Sequence, residues 1–559
     1  MRGTSTLIVS LLLGMGLALP RHAQAATCEA TSYGTWYPNS PSQDSSGGLQ
    51  NALTNCAGQT MHIAAGTYYF LPTTLQSGFT VPANTTITGD FDAQNNPTTI
   101  LVTGTQANLK GNYDYFFRIV DVSNVTIEHI DFEGSQDWSN CPQAPQYNTM
   151  LGSFANAIGL LETSATIQGI TIENNKFHNF NGTGWIDLVA AANSPGIGTG
   201  SPIEIANNVF DATGILQSNG TYAALHNCAG SGGLTWNVYQ IWMQGSETTA
   251  TGFVENVTVA NNTFYSNYVK GAVALHGGDL QLISIQYNDI YDAGMPIVET
   301  SGSEDLGRYA IQLYSVASGL ASNITNSWVV ANVIVNPVSC GLYLATASNI
   351  EISYNSVSGQ TDSYDAVLPK GGIALGGLIN PNPLPSGSLY QVYDNDLTDN
   401  LFGIEVSGGT GTFDANTIIN VPENGVGMKI ALENVSAPEA PSLAFSNTTV
   451  STTVTDSSTS SVIGYSNKAF ASGCTKTAIL SSGTLSINGL KQIGWSSPTS
   501  RPASIQWFDD SRNCGYHGFD PGGPSPYLEP ATGLITNVTR QATATSTPVA
   551  QTAFWPYTN

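Results

Sequence analysis

Ile172-Glu173-Asn174-Asn175-Lys176-Phe177, Ile205-Ala206-Asn207-Asn208-Val209-Phe210 and Val259-Ala260-Asn261-Asn262-Thr263-Phe264 carry one repeated pattern: apolar, two residues, Asn, one residue, apolar. The frame continues as Ile285/Asn288/Ile290, Val329/Asn332/Ile334, Ile352/Asn355/Val357, Val392/Asn395/Leu397 and Phe413/Asn416/Ile418. The stretch from Asn124 to Phe132 has the same apolar skeleton, with Ile130 in the Asn place. Each copy is a short alternating segment, so its apolar residues point inward and the residue between them points out. Asn at a turn tolerates left-handed backbone angles and can bond its own turn, and stacked on the next copy it can form a ladder.

The anchors stand 33, 54, 26, 44, 23, 40 and 21 residues apart. Periods of this size mark a solenoid of strands. The short intervals set one rung; 44 and 40 read as two rungs, and 33 and 54 as rungs with insertions. A second pattern, Gly-apolar-x-apolar, follows most anchors: Gly184-Trp185-Ile186-Asp187-Leu188, Gly271-Ala272-Val273-Ala274-Leu275, Gly341-Leu342-Tyr343-Leu344, Gly372-Ile373-Ala374-Leu375 and Gly403-Ile404-Glu405-Val406. Each rung therefore holds at least two strands. Asn124 to Ile430 would make roughly 14 rungs and a rod of roughly 65 Å. The predicted fold is an all-β, right-handed parallel β-helix.

Composition agrees. Only 10% of residues are charged and 41% are hydrophobic, with 58 Gly among 559 residues. Helices need charged outer faces, so a helical protein is excluded, and the regular apolar recurrence excludes disorder. The net charge of −24 excludes nucleic acid and anionic membranes as partners.

Residues 1–25 read as a signal peptide: Arg2, an apolar run from Leu7 to Leu19, and Ala23-Gln24-Ala25 for cleavage. This predicts a secreted, extracellular or periplasmic protein, a monomer with no membrane contact after cleavage. Export permits disulfides. Of seven cysteines, Cys28 with Cys56 and Cys474 with Cys514 are the expected pairs, and Cys141 with Cys228 a third; Cys340 reads as a small buried filler. The chain divides into 26–435, the β-helix with its N-terminal cap, and 436–559, which loses the Asn anchors and reads as last rungs, a cap or a small β module.

The N-terminal stretch carries a resemblance. Leu49-Gln50-Asn51-Ala52-Leu53 reads as a short helix, followed by Met61-His62-Ile63-Ala64-Ala65-Gly66-Thr67-Tyr68-Tyr69 and Thr85-Thr86-Ile87-Thr88-Gly89-Asp90. Together with the repeat, over residues 45–435, this resembles the pectate-lyase-like superfamily of right-handed parallel β-helices. The resemblance implies a helix cap and first rungs here. It points to polysaccharide lyases, glycoside hydrolases, epimerases, esterases or adhesive proteins, with substrate in a groove along one outer sheet. The polygalacturonase motifs (Asn-Thr-Asp, Asp-Asp, Gly-His-Gly, Arg-Ile-Lys) are missing, and Leu275-His276-Gly277-Gly278 is only a partial echo.

The outward residues of the Gly-apolar-x-apolar strands are the candidates for such a groove. They are Asp187, Gln312, Tyr343, Glu405 and Lys429, with His276 and Tyr314 one strand-step further. His226 and Glu299 fit the same face, and Tyr239 to Gln244 adds Trp242. Hydrolysis of a glycoside needs a carboxylic acid and a second carboxylate, and aromatic rings supply stacking faces for sugars. Asp187, Glu299 and Glu405 are the expected acids, His276 a helper, and Trp242, Gln312, Tyr314, Tyr343 and His226 the substrate contacts. A lyase would instead use Arg308 or Lys270 as base, often with Ca²⁺. Asp394-Asn395-Asp396 with Asp399 resembles a Ca²⁺ loop but overlaps a rung anchor. Asp131, Glu133 and Asp137 beside Trp138 form an acidic cluster before an insertion that could wall a groove. The expected activity is glycoside hydrolysis of an extracellular polysaccharide, no cofactor being required; the alternatives are a lyase and a non-catalytic glycan-binding surface protein.

Overall fold

The computed structural model describes residues 27–70, 78–102, 115–134, 156–178, 180, 184–212, 214–216, 222–224, 239–246, 252–266, 269–294, 308–314, 324–345, 347–360, 371–375, 389–406 and 410–421. Beyond these it places strands at 426–430, 442–446, 449–452, 461–463, 491–492, 506–509, 514–517, 534–540 and 549–554. The signal-peptide reading, Cys141, Cys228, Asp137, Trp138, His226 and Glu299 lie outside the described residues, and the described strands do not test the boundary at residue 435.

The chain is a right-handed parallel β-helix. It winds through three sheets of 13, 15 and 12 strands, here A, B and C. One rung shows the order: Ile170–Glu173 in sheet A, Lys176–His178 in sheet B and Gly184–Ala190 in sheet C. The next begins at Ile203–Ala206, in register Ile170 to Ile203 and Ile172 to Ile205. Like therefore stacks on like. Phe132, Phe177, Phe210 and Phe264 form a face-to-face column inside the rod, with centroids 5.0, 4.9 and 4.7 Å apart. It continues upward as Ile290, Ile334, Val357 and Leu397, all buried.

The asparagines form the expected ladder, in buried positions. Each Nδ2 donates to the Oδ1 of the next anchor, from Asn175 through Asn208, Asn262, Asn288, Asn332, Asn355 and Asn395 to Asn416, at 2.9–3.1 Å. Each also donates to a carbonyl of the rung below, such as Ile172 for Asn208 and Val259 for Asn288. Where Ile130 replaces the anchor, its backbone N–H still donates to Asn175 Oδ1, at 3.0 Å. One detail of the expectation changes. The left-handed residue is not the anchor but its predecessor: Asn174, Asn207, Asn261, Tyr287, Ala331, Tyr354, Asp394 and Ala415 all have φ between 52° and 57°. The anchor is Asn because its amide can donate twice and accept from the backbone at once.

Rung counting also changes. From Val125 to Ile430 there are nine rungs, since sheet A has nine strands from Val125–Glu128 to Thr410–Asp414. The intervals of 44 and 40 residues are single rungs with insertions, because Asn288 and Asn332, and Asn355 and Asn395, bond directly. The nine rungs span about 38 Å at about 4.8 Å per strand. The insertions share a location. From Val125 to Val421 only one or two residues join a sheet A strand to its sheet B strand. The long segments 134–155, 212–238, 292–308 and 359–370 enter sheet C, and 191–202, 315–323 and 376–388 leave it.

At the N-terminal end, the helix Ser46–Asn55 buries Leu49, Ala52 and Leu53 in the core cluster that contains Met61 and Phe79. Cys28 and Cys56 form a disulfide with Cα atoms 5.6 Å apart. Among the described residues no helix is long and apolar enough to cross a membrane.

Candidate functional site

The strands of sheet C each bend near their start, so they present two outward positions three residues apart. In Gly184–Ala190, Ile186 and Leu188 fill the core while Asp187 and Gly184 face outward together. A Cβ on Gly184 would stand 2.1 Å from Asp187 Oδ1, so glycine leaves room for the carboxylate.

Register then decides where the sequence candidates fall. Asp187 pairs with Trp242, Trp242 with Ala274, Ala274 with Gln312, Gln312 with Tyr343, Tyr343 with Ala374, and Ala374 with Glu405. Seven successive strands thus bring five of the expected residues into one column on the outer face. Lys429 follows Glu405 by register, and Arg118 and Gly159 precede Asp187. His276 and Tyr314, paired with one another, begin the adjoining column.

The column is buried, although it lies outside the core of the rod. Asp187 is 3% exposed, Trp242 4% and Glu405 1%. Asp187 Oδ2 accepts from Tyr115 Oη at 3.0 Å and from Asn156 Nδ2 at 3.1 Å. The His276 ring stacks on Trp242 with centroids 4.4 Å apart and lies 5.8 Å from Tyr314. Burial, then the charge of Lys270, holds the His276 pKa down at about 4. Its imidazole is therefore neutral near pH 7 and can take a proton. Trp242 Nε1 donates to Gln244, and the Tyr239 hydroxyl donates to Gln312 Oε1.

The first outward position of these strands was not read from the sequence. It holds Tyr239, Tyr309 and Cys340, with Tyr309 and Cys340 in register. Tyr309, Cys340, Tyr343, Ala345 and Ala374 form a cluster separate from the core, and the Tyr309 and Tyr343 rings are 4.5 Å apart. Cys340 is buried as expected, but as a filler between tyrosines outside sheet C. The signal for these residues was their spacing of three before Trp242, Gln312 and Tyr343, hidden because strict alternation would turn that position inward.

The remaining candidates stand apart. Asp187 and Glu405 are six strands apart, about 29 Å, whereas glycosidase carboxyl pairs stand about 5–9.5 Å apart. They cannot serve one bond together. Arg308, at the entry to sheet C, donates from Nη1 to the Gly294 carbonyl at 3.4 Å, its stem packed on Gly294. Lys270 is buried at the matching place one strand earlier. Asn395 uses its side chain in the ladder, so the Asp394–Asp399 segment follows the turn-ladder reading. Asp131 and Glu133 are buried on the outer face of sheet B. There His178 Nε2 is 3.3 Å from Asp131 and its Nδ1 4.0 Å from Asp211. Burial raises the Asp131 pKa.

No family model and no curated protein sequence matches the chain. Among solved structures, the tailspike protein of E. coli bacteriophage HK620, in complex with a pentasaccharide, is 13% identical with a TM-score of 0.47, covering 86% of this chain and 81% of that one. The surface adhesin PfbA of Streptococcus pneumoniae is 12% identical with a TM-score of 0.43, covering 79% and 92%. The catalytic unit of the GH87 α-1,3-glucanase of Streptomyces thermodiastaticus is 14% identical with a TM-score of 0.41, covering 85% and 71%. At these values the likeness carries no activity or ligand to this chain.

Proposed function

We propose that the protein is a secreted, carbohydrate-active β-helix protein that takes a glycan chain along the outer face of sheet C and hydrolyses it. One observation carries the reading: Asp187, Trp242, Gln312, Tyr343 and Glu405 share one column, with His276 and Tyr314 beside it. A linear ligand parallel to the rod would meet a carboxylate, a ring, an amide, a hydroxyl and a second carboxylate in turn. Between Val125 and Val421 the long connections flank this sheet, as walls of a groove would. In this reading Asp187, held by Tyr115 and Asn156, is the acid at one end. Its second group comes from within a strand or two, His276 being the described candidate. Glu405 binds at the far end.

The separation of the two carboxylates favours a second reading, a glycan-binding surface protein without catalysis. A lyase with Arg308 or Lys270 as base and Ca²⁺ on the substrate is the third. A screen of the purified mature protein on neutral and acidic polysaccharides, with and without Ca²⁺, separates them. Reducing ends without 235 nm absorbance support hydrolysis. Both signals mean a lyase. Retention on immobilised glycan with neither signal means a binding protein, and no retention and no product rejects the proposal.

A further inference from the structure

His62 stands on the outer face of sheet A, in the strand Thr60–Ile63, between the inward Met61 and Ile63. On one side its neighbour in register is Glu29, in the strand Thr27–Glu29. On the other side the next strand, Thr86–Gly89, runs out into Asp90. The imidazole spans both. Nδ1 lies 2.8 Å from Glu29 Oε2, and Nε2 lies 2.9 Å from Asp90 Oδ1. Asp90 is itself fixed: its Oδ2 accepts from the Ala65 N–H at 2.7 Å, and its own N–H donates to Thr99 Oγ1 at 2.9 Å. One ring thus ties together three successive strands of sheet A.

This geometry calls for a protonated ring. An ionised carboxylate only accepts hydrogen bonds, so both ring nitrogens must donate, and imidazolium has two N–H groups where neutral imidazole has one. With a neutral ring, one nitrogen lone pair would face a carboxylate oxygen. Burial by itself would lower the His62 pKa, but the hydrogen bonds and charges of Glu29 and Asp90 outweigh it and raise the pKa above the ordinary 6.5. Burial likewise works against the charge of Asp90, yet His62 and the Ala65 N–H bring its pKa below the usual carboxylate value. The other titratable groups around this face are Tyr68, whose hydroxyl donates to the Ala64 carbonyl at 3.1 Å, and Glu128, two strands along and 3.8 Å from His129. The cap helix Ser46–Asn55 carries none. The strand held by the ring is short and marginal. Thr27–Glu29 has three residues, lies at the edge of sheet A and pairs with Thr60–His62 on one side.

We infer that protonated His62 is a latch on the N-terminal end of the rod: it fastens the strand Thr27–Glu29 in mild acid and lets it open as the ring loses its proton. The sign follows from linkage. A raised histidine pKa adds stability that is complete below the unfolded value near about 6.5 and is lost as pH rises through the folded one. A lowered Asp90 pKa adds stability present above about 3.9 and lost as pH falls through its folded value. The latch is therefore closed between about pH 4 and pH 6.5 and opens above that. The backbone pairing and the Cys28–Cys56 disulfide then retain the strand. The latch is independent of the glycan reading of sheet C.

The test is an NMR titration of the full-length mature protein, isotopically labelled at histidine, beside hydrogen exchange of residues 27–32 over the same pH range. The His62 signal is assigned by its loss in His62→Gln. Its midpoint should lie above 6.5. The opening constant of 27–32, corrected for the intrinsic exchange rate, should rise between about pH 6 and pH 9, by about tenfold for each unit of that elevation. In His62→Gln the segment should open at every pH as the wild type does near about pH 9, because an uncharged amide cannot donate to both carboxylates from two ring positions. Glu29→Gln, a change at an exposed side chain, should lower the His62 midpoint and flatten the pH dependence. A midpoint at or below 6.5, or protection of 27–32 that does not change with pH, overturns the latch. So does a midpoint that Glu29→Gln leaves in place, since another group would then set it.

Discussion

The Tyr115 hydroxyl reaches across two strands of sheet C to Asp187 Oδ2, at 3.0 Å, where the Asn156 amide meets the same oxygen. The residues are 72 apart in sequence. Two donors from two earlier rungs thus fix the orientation of one carboxylate on a third. Tyr115→Phe removes one donor and keeps the ring. It should lower turnover about tenfold, a lost hydrogen bond to a charged group being worth roughly 1.5–3 kcal/mol. A kcat fall with little change in KM is the expected kinetic result, and wild-type kcat would remove Asp187 from the mechanism.

Gly184→Ala should act on the same carboxylate from its other side. The added methyl would sit 2.1 Å from Asp187 Oδ1, so the carboxylate must leave its donors. Activity should fall at least as far as in Tyr115→Phe while circular dichroism stays that of a β-helix. The double variant should cost less than the sum of the two, because both act through one group.

The ladder makes a stability prediction. Asn288→Ala removes bonds to Asn332 and to the Val259 carbonyl and leaves the Asn262 amide without its acceptor. A loss of about 3 kcal/mol or more is expected from orphaned buried groups. Urea unfolding should show the midpoint shift. Asn288→Asp keeps the acceptor but loses both donors, and should fall between wild type and Ala near pH 4.

His276 should set an acidic limit. Its pKa of about 4 means that binding or turnover requiring neutral imidazole is level from pH 8 to about pH 5 and falls as the ring gains a proton beside Lys270. In His276→Gln that limb should vanish from the pH profile. An unchanged limb would assign it to another group.

Asp121, just after the sheet C strand Tyr115–Val120, gives the fold a further pH dependence. Burial works against its charge, but hydrogen bonds from the Thr163 and Ser164 side chains and backbone outweigh it and hold the pKa well below the usual carboxylate range. A depressed folded pKa adds stability above the unfolded value near about 3.9, lost as pH falls through the folded one. Asp121→Asn should therefore lower the melting temperature at pH 7, and progressively less as pH falls below about 3.9 toward the folded pKa. The group is half-buried at the surface, so the effect should be modest and shrink in salt.

The fold was legible because two local rules coincide in every rung: apolar residues at fixed places around Asn, and Asn where a buried turn needs two donors and an acceptor. Asn288 and Asn332 show the limit. Their 44-residue interval read as two rungs, because nothing in a sequence states whether extra residues form strands or a connection. In the site, Asp187, Gln312, Tyr343 and Glu405 were found by alternation alone, since one outward residue between two core residues needs only a strand. Tyr309, and the outward direction of Cys340, were missed because the chain departs from alternation there. The distance between Asp187 and Glu405 was likewise hidden: both fit one motif, and only the number of strands between them excludes a shared bond.

The confinement of the long connections between Val125 and Val421 to the two borders of sheet C also bears on descent. The A-to-B turn cannot lengthen without pulling an asparagine out of line, so insertions there should cost stability. The borders of sheet C hold shorter runs of such bonds, Asn400 accepting from the Gln360 N–H and donating to the Val357 carbonyl, and they accommodate long insertions between them. Related chains should then differ in cargo while sharing a spine. Exchanging 361–370 or 376–388 between two such chains should move ligand preference with the transplanted segment and leave the unfolding midpoint with the recipient.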